Sequence, residues 1–371
     1  MGKKSIGKKS LGAAGMAVVL LVGATACGSA KESDDSGSGD SGGTSGTIDQ
    51  GFKVGLLLPE TKTARYEKFD KPYITDKVKA LCPKCEVVYA NANQDPNLQQ
   101  QQVDTMLTNG AKVLILDAVD AKAISSSVSK ANGQGVKVVA YDRLATGPIS
   151  AYTSFDNLQV GKLQGQALLD AIKKGGDAKR GPIVMINGSP TDPNAGDFKK
   201  GAHSVLDGQV TIGKEYDTPD WSPDKAAVEA DGAFTALGAK KVVGVYSAND
   251  GMAGGIAKSM ANAGVPTGTP LTGQDAELAA IQRIMLGTQT MTIYKPIKPE
   301  AEAAAQMAID LGSGKTPSGN QTVATVPAQI ITPQVVTKDN VKDTVVKDNF
   351  WTVQEICTSQ VAAACKSAGL T

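Results

Sequence analysis

The stretch AKVLILDAVDAKAISSSVSKANGQGVKVVAYDR, residues 111–143, contains two apolar segments separated by a polar one. The apolar segments AKVLILDAV (111–119) and KVVAYDR (137–143) are rich in aliphatic and β-branched residues, which favour buried strands. The residues from Ala121 to Asn132 between them have the pattern of a helix. A strand, a helix and a second strand in this order predict a βαβ unit with parallel strands.

The same alternation of strands and helices continues on both sides of this unit, from about residue 51 to 340. That is more βα units than one domain of about 150 residues contains. We therefore predict an α/β protein with two doubly wound lobes, each built on its own parallel sheet. The predicted boundaries between the lobes lie near residues 150 and 295.

Five predicted strands end in polar or charged residues. In open α/β sheets, ligands bind in the crevice beyond the carboxyl ends of the strands. The five segments are KVVAYDR (137–143), AYTSFDN (151–157), KVVGVYSAND (241–250), PLTGQD (270–275) and TMTIYK (290–295). Because the convergent groups include no obvious reactive pair, they predict a pocket that recognises a ligand.

The first 26 residues have the pattern of a targeting segment. Four lysines among the first nine residues precede an apolar, glycine-rich stretch at 11–26. This stretch is too short for a comfortable transmembrane helix, which needs about 20 apolar residues. It ends in ATACG (24–28), which resembles a bacterial lipoprotein signal and implies cleavage before Cys27 and lipidation of Cys27. The alternative is an ordinary secretory signal cleaved nearby.

Residues 27–50 are predicted to form a flexible linker behind the lipidated cysteine. The segment GSAKESDDSGSGDSGGTSGTID (28–49) consists mainly of Gly, Ser and acidic residues. A glycine-rich coil of this length has a root-mean-square reach of roughly 25 Å. We therefore expect a domain tethered by acyl chains at the outer face of the cytoplasmic membrane.

The other cysteines predict disulfides, because an even number of cysteines in an exported chain is typical of such bonds. They form two pairs that are close in sequence: Cys82 with Cys85, and Cys357 with Cys365. A redox site at Cys82 and Cys85 is disfavoured because the motif follows a predicted helix and does not open one. A metal site would need a second half, and the single histidine, His203, offers little help. No metal, no cofactor and no role for His203 are predicted.

Charge and residue types also restrict the possible functions. The formal net charge is +1 and the lysines are dispersed, which excludes a strong nucleic-acid footprint. Asp142 and Asp275 could serve as an acid and base pair in a glycosidase. However, no G-x-G-x-x-G follows the first strand, and one histidine leaves no Ser/His/Asp set. We therefore predict a protein that is not an enzyme.

Six segments resemble those of a known family. They are AYDR (140–143), SFDN (154–157), GSPTDPNA (188–195), SANDGMAGG (247–255), TGQDAELAAIQRIMLGTQTMTIYKPI (272–297) and VTKDNVKDTVVKDNF (336–350). Together with the strand–helix layout, they resemble the type I periplasmic binding proteins of sugar ABC transporters, especially members that bind D-xylose. The resemblance covers about residues 52–350.

The resemblance implies two lobes joined by a hinge of three crossovers. The N-terminal lobe would comprise residues 51–150 and 296–326, and the C-terminal lobe residues 151–295 and 327–345. Residues 346–371 would form a tail clipped by a disulfide. Asp156 and Asn157 would lie at the hinge or support the site from behind.

The resemblance also implies a set of sugar-binding residues. They are Arg65, Tyr66, Asp142, Arg143, Asn194, Trp221, Asn249, Asp275 and Lys295. Tyr66 departs from the family pattern, in which a tryptophan follows the arginine. Carboxylates accept hydroxyl protons, arginine and lysine donate, and asparagine does both, so this set suits a sugar. Each residue also has a structural alternative, such as a turn, a helix cap or a solvated charge.

The implied function is that of an extracytoplasmic lipoprotein that binds one monosaccharide, an aldopentose with D-xylose favoured, and delivers it to an ABC permease. We expect a monomer. The alternative is a sugar sensor that serves a chemoreceptor or kinase.

Overall fold

The computed structural model describes residues 48–370, in which strands and helices alternate. The strands are β1 (Lys53–Leu58), β2 (Glu86–Asn91), β3 (Ala111–Leu116), β4 (Lys137–Tyr141), β5 (Ala151–Phe155), β6 (Pro182–Asn187), β7 (Thr211–Asp217), β8 (Gly244–Ser247), β9 (Thr292–Tyr294), β10 (Gln321–Val323), β11 (Val326–Ile331) and β12 (Gln334–Val336). The helices are α1 (Lys71–Leu81), α2 (Pro96–Thr108), α3 (Ser125–Gly133), α4 (Asn157–Lys174), α5 (Pro193–Leu206), α6 (Pro223–Leu237), α7 (Asp250–Ala263), α8 (Leu278–Leu286), α9 (Ile297–Gly312), α10 (Val353–Ile356) and α11 (Ala362–Ser367).

The first sheet has seven strands in the order β10-β11-β5-β4-β3-β1-β2. All neighbouring strands are parallel except the hairpin of β10 and β11. The order reverses at β1, which lies between β2 and β3. The crevice beyond the carboxyl ends of β1 and β3 is therefore the place where such a sheet binds ligands.

Both faces of the first sheet are buried, which explains the continuous apolar runs of its strands. Because side chains alternate along a strand, Leu56 and Ile115 face one hydrophobic cluster with α1 and α9. Leu57 and Leu114 face a second cluster with α2 and α3. The predicted class, a doubly wound α/β fold, is confirmed.

The second sheet contains β7, β6 and β8 in that order, all parallel. Beyond β8, Leu271 forms a parallel bridge to Val245, and Gln274 forms one to Ile293 of β9. β9 then pairs antiparallel with β12. β6, β8, β9 and the extended residues 271–274 all run in the same direction. Their carboxyl ends therefore lie at one edge of this sheet, where Asp275 follows.

The predicted strand PLTGQD (270–275) is present only as these two isolated bridges, not as a regular strand. Pro270 has no N–H to donate to a ladder. At the other end, Asp275 and Ala276 have φ values of 94° and 50°. The extended conformation therefore stops abruptly, and the chain turns at the residue predicted to contact the ligand.

Several helices begin at a polar residue followed by proline, as helix N-termini favour. Asp192 precedes Pro193, and its carboxylate accepts a hydrogen bond from the backbone N–H of Asn194 at 2.9 Å. Ser222 precedes Pro223 in the same way at the start of α6. These caps fix where α5 and α6 begin, next to the carboxyl edge of the second sheet.

The sheet pairings correct the predicted lobe boundaries. β5 pairs with β4 and β11, so residues 151–155 belong to the first sheet and not to the second lobe. β11 also belongs to the first sheet. The last crossing to the second lobe therefore lies after Ile331, between β11 and β12. The prediction erred because a strand that ends a lobe has the same apolar pattern as one that begins the next.

The predicted linker ends earlier than residue 50. Ile48 packs partly against the hydrophobic cluster beneath α1. Lys84 Nζ donates a hydrogen bond to the backbone oxygen of Asp49 at 2.7 Å. The predicted signal segment, Cys27 and most of the linker lie outside the described residues. Within residues 48–370, no helix has the length and apolarity needed to cross a membrane.

The other four cysteines lie in two close pairs in the structure. Cys82 and Cys85 are joined across the turn between α1 and β2, with their Cα atoms 5.3 Å apart. Cys357 and Cys365 join the short helices α10 and α11, with a Cα separation of 5.9 Å. The second bond closes a hairpin in the C-terminal tail.

The single histidine lies between two carboxylates on the second lobe. His203 Nδ1 is 2.8 Å from Asp207 Oδ1, and Nε2 is 2.9 Å from Glu215 Oε1. Burial alone would lower the pKa of His203. The hydrogen bonds and charges of Glu215 and Asp207 outweigh it and raise the pKa above its ordinary value.

Replacement of His203 by glutamine should therefore cost more stability at low pH than at high pH. A raised pKa in the folded protein stabilises it fully below the pKa of the unfolded chain, and this contribution is lost as pH rises through the folded pKa. Urea unfolding of both proteins at about pH 5.5 and about pH 9 measures the difference. An equal loss at both values would contradict an imidazolium held by the two carboxylates.

Candidate functional site

One cavity between the carboxyl edges of the two sheets collects the predicted residues. The space free of protein atoms between its lining residues, including the part open to solvent, is about 340 Å³. All nine predicted ligand-binding residues line it: Arg65, Tyr66, Asp142, Arg143, Asn194, Trp221, Asn249, Asp275 and Lys295. The structure therefore brings together groups that lie up to 230 residues apart in the sequence.

Arg65 is the central cation of the first wall and is 4% exposed. Its guanidinium contacts three carboxylates. Nη2 lies 2.6 Å from Asp70 Oδ1 and 2.9 Å from Glu300 Oε2, and Nη1 pairs with Asp142. A planar fork with five donors can hold several acceptors at once, which lysine cannot do with the same geometry. Arg65 thus joins the loop after β1, the end of β4 and helix α9.

Asp142 connects the two lobes. It follows β4 with a φ of 55°, so the chain turns sharply and aims its carboxylate into the cavity. Asn194 Nδ2, at the start of α5, donates to Asp142 Oδ1 at 2.7 Å. Burial would raise the pKa of Asp142, but Arg65, Lys295 and Arg143 outweigh burial and lower it. Asp142 is therefore an ionised acceptor.

Arg143 makes the second connection between the lobes. Its Nε lies 2.9 Å from Asp192 Oδ2, and Nη1 donates to the backbone oxygen of Ala118 at 3.0 Å. The Trp221 indole N–H donates to the same Asp192 oxygen at 3.1 Å. Arg143 Nη2 donates to the Tyr66 hydroxyl at 3.2 Å. This chain of bonds fixes two aromatic side chains, one from each lobe, at the cavity.

Lys295 and Asp275 form a buried pair on the second wall. Lys295 follows β9, and its Nζ lies 2.9 Å from Asp275 Oδ1. Burial would lower the pKa of Lys295, but Asp275 and Asp142 raise it above its ordinary value. The amine therefore remains a charged donor.

Two further groups on this wall retain hydrogen-bonding capacity. Asn249 Oδ1 caps helix α7 by accepting from the backbone N–H of Met252 at 2.9 Å, which leaves the Nδ2 donors free of protein partners within residues 48–370. Gln274 Oε1 is buried and accepts no hydrogen bond from the described residues. A buried acceptor without a donor is costly, so this part of the cavity suits a ligand with hydroxyl groups.

Two carboxyl groups lie behind the cavity wall. Burial raises the pKa of Asp117 and that of Glu300 well above their ordinary values, although Arg143 and Arg65, respectively, oppose the shift. The cavity itself is lined by three cations and three carboxylates, so it is balanced in charge. The site therefore suits a neutral polar ligand.

Sequence reasoning missed four residues that line the cavity: Thr63, Asp192, Phe198 and Gln274. Asp192 and Gln274 adjoin predicted positions, and Phe198 follows Asn194 by four residues on the same face of α5. Asp192, Gln274 and Phe198 could therefore have been identified from their positions relative to the predicted residues. The supporting carboxylates Asp70 and Glu300 had none, because their contacts with Arg65 come from tertiary packing.

Asp156 and Asn157 do not line this cavity. Asp156 caps α4 by accepting from the backbone N–H of Gln159 at 2.9 Å, and its own N–H donates to the oxygen of Ile331 at 3.1 Å. Asn157 Nδ2 donates to Ser154 Oγ at 3.1 Å. Both residues therefore lie where the chain leaves the first sheet after β5. They are next to Ile331, where the chain leaves this sheet again after β11.

The Trp221 ring lies directly against the backbone of Gly188. A Cβ atom at position 188 would overlap the ring. The ring also contacts Phe198 edge-on, with the centroids 6.2 Å apart. Glycine at 188 is therefore required for the position of this wall.

Replacement of Gly188 by alanine should lower the free energy of unfolding by about 1–3 kcal/mol, because the rigid indole must move. Gly196→Ala is the matched control, since a Cβ there meets no atom within 4 Å. Chemical denaturation compares the two. A neutral Gly188→Ala would show that the ring is not held against this residue.

The site contains donors and acceptors but no nucleophile with an adjacent base. Within residues 48–370, no group of three or more His, Cys, Asp or Glu side chains could hold a metal ion. The arrangement can bind and orient a polar molecule.

The model of a family described as "Periplasmic binding protein domain" matches residues 54–316. The D-xylose-binding periplasmic protein of Escherichia coli is 36% identical over 314 residues, which cover 82% of this chain and 92% of that protein. A multiple sugar-binding periplasmic receptor of Rhizobium radiobacter is 32% identical, with the same coverage of 82% and 92%.

Solved structures agree with these relatives. A carbohydrate transporter solute-binding protein from Chloroflexus aurantiacus, in complex with D-glucose, superposes with a TM-score of 0.73. It is 26% identical, and the match covers 81% of this chain and 97% of that one. The relatives are binding proteins, which confirms that the chain is not an enzyme. The chain belongs to the periplasmic binding protein family.

Proposed function

We propose that this protein is the substrate-binding component of a sugar ABC importer, holding one monosaccharide between its lobes. The observation that carries the proposal is the cavity itself, in which Asp142, Arg143, Asn249, Asp275 and Lys295 converge from both sheets. The ligand favoured is an aldopentose, D-xylose, because the D-xylose-binding protein of Escherichia coli is similar over most of both chains.

The chemistry of the cavity matches a sugar. Each hydroxyl donates one hydrogen bond and accepts up to two. Asp275 and Gln274 supply acceptors, while Lys295 and Asn249 supply donors on the same wall. A site that pairs with each hydroxyl rejects analogues that lack one, because its own buried groups then remain unpaired.

The aromatic side chains complete the site. Trp221, Phe198 and Tyr66 line the cavity and are at most 9% exposed. Their flat apolar faces can cover the C–H faces of a sugar ring and exclude water. Tyr66 would present an aromatic face and a hydroxyl that already contacts Arg143.

Closure of the lobes on the sugar is the proposed signal to the permease. Asn194 donates to Asp142, and Arg143 pairs with Asp192, so the lobes meet beside the cavity. A sugar that binds cavity groups of both lobes would favour this closed form. Asp156 and Asn157 lie at a crossing where the hinge would flex. We further propose that the protein acts as a monomer, anchored through lipid on Cys27 at the outer face of the membrane.

A thermal-shift panel of D-xylose, D-ribose, L-arabinose, D-glucose and D-galactose tests the ligand class. A ligand at about 100 times its dissociation constant adds about 2.7 kcal/mol of stability, which is a visible rise in melting temperature. We expect D-xylose to give the largest shift. A different best sugar would correct the ligand, and no shift with any monosaccharide would overturn the proposed function.

Sugar sensing is a second candidate, because one relative is described as a receptor. Deletion of the gene distinguishes the two roles. Loss of radiolabelled sugar uptake supports import, whereas unchanged uptake with loss of a sugar-dependent response supports sensing.

A further inference from the structure

The C-terminal segment Phe350–Leu370 contacts two turns, one in each cavity wall: the turn that carries Tyr66 and the turn that carries Asp275. On the first lobe it meets Phe69, in the helical turn that begins with Tyr66. The ring centroids of Phe69 and Phe350 are 4.3 Å apart and stacked, and those of Phe69 and Trp351 are 5.4 Å apart and edge-on. Such pairs contribute beyond the burial of their area.

A cation strengthens this contact. Lys68 Nζ lies 3.9 Å from the centroid of the Trp351 ring and 3.2 Å from Glu355 Oε1. The turn that carries Tyr66 is therefore held from outside by three residues of the C-terminal segment, Phe350, Trp351 and Glu355.

On the second lobe, Trp351 binds the turn that aims Asp275 into the cavity. The indole Nε1–H donates to the backbone oxygen of Ala276 at 2.7 Å. Asp275 and Ala276 both have positive φ, which L-residues rarely adopt and which persists only where surrounding contacts enforce it. The indole bond is one such contact, and Trp351 is only 3% exposed.

The remainder of the segment makes Trp351 rigid. Thr352 and Glu355 form a capping box at the start of α10. Gln282 Nε2, on α8, donates to the backbone oxygen of Glu355 at 3.1 Å. The bond between Cys357 and Cys365 then closes the hairpin against α8.

We propose that Trp351 is a positioning residue for sugar binding, which holds Asp275 in place through its bond to the Ala276 carbonyl. The C-terminal segment thereby connects the turn of Asp275 to the turn of Tyr66. The inference rests on the proposed function. It assigns the tail a role in affinity in addition to any role in stability.

Trp351→Phe keeps an aromatic ring beside Phe69 but removes the N–H donor. We expect calorimetry with the best sugar of the panel to show an affinity reduced by about tenfold, the effect of one lost hydrogen bond. In an Asp275→Asn background, the same change should alter affinity by less than about twofold, because the effect passes through that carboxylate. Ile356→Val, which removes one methylene from a buried tail residue and keeps the indole donor of Trp351, is the control and should leave affinity unchanged.

Amide hydrogen exchange of the sugar-free protein is an independent readout. The N–H groups of Asp275 and Ala276 donate to Ile293 O and Thr292 Oγ1. They should exchange faster in Trp351→Phe than in the wild type or Ile356→Val. Unchanged exchange, or unchanged affinity with a lower melting temperature, would overturn the positioning role. Failure of the wild type to bind any monosaccharide would refute the proposed function, while the exchange result would still decide whether Trp351 holds the turn.

Discussion

Replacement of Arg65 by methionine is expected to lower the free energy of unfolding by about 3–5 kcal/mol, the cost of breaking a buried charge network. The substitution leaves Asp70, Asp142 and Glu300 without the cation that they share. These carboxylates are almost fully buried, so water cannot replace the lost partner. Sugar binding should be lost together with stability, because Arg65 and its partner Asp142 both line the cavity.

Lys77→Met is the matched control for this change. Lys77 lies on α1 of the same lobe, is 32% exposed and has its Nζ 3.9 Å from Glu302. Such a surface pair contributes about 0–1 kcal/mol. Urea unfolding of both variants measures the difference. A loss in Arg65→Met as small as that in Lys77→Met would show that the network around Arg65 is not intact in solution.

Replacement of Asp275 by alanine should reduce monosaccharide affinity by at least about 100-fold. Removal of one member of a buried, hydrogen-bonded charge pair costs about 2–5 kcal/mol in binding. Here the change removes an acceptor for sugar hydroxyls and leaves the Lys295 amine without its carboxylate. Isothermal calorimetry with the best sugar of the panel measures the loss.

Asp231→Ala provides the comparison for Asp275. Asp231 is an exposed residue of α6 in the same lobe and does not line the cavity. Its removal should leave affinity within about twofold of the wild type, as expected for a surface substitution. Similar affinities for Asp275→Ala and the wild type would remove Asp275 from the site.

The fold was predictable because the two faces of a doubly wound sheet impose long apolar strands on the sequence. The run Ala111–Arg143 contains two such strands and the helix between them, and the structure has β3, α3 and β4 there. Lobe boundaries were not predictable in the same way. The apolar sequence of β5 indicates a buried strand. Its assignment to the first sheet depends on its pairing with β4 and β11, which the sequence does not show.

The cavity was predictable where ligand-facing residues follow strands directly. Asp142, Arg143 and Lys295 come immediately after β4 and β9, and parallel strands bring their carboxyl ends to one edge. The supporting groups were not predictable. Glu300 lies inside α9, 235 residues from Arg65, and its sequence context is that of an ordinary helix.

The crystal structure of the protein with the best sugar of the panel is the most direct measurement. We expect one unaltered monosaccharide in the cavity, with hydrogen bonds to Asp142 or Arg143 from the first lobe and to Asn249, Asp275 or Lys295 from the second. A sugar bound to one lobe alone, at another surface, or in a chemically altered form would contradict it.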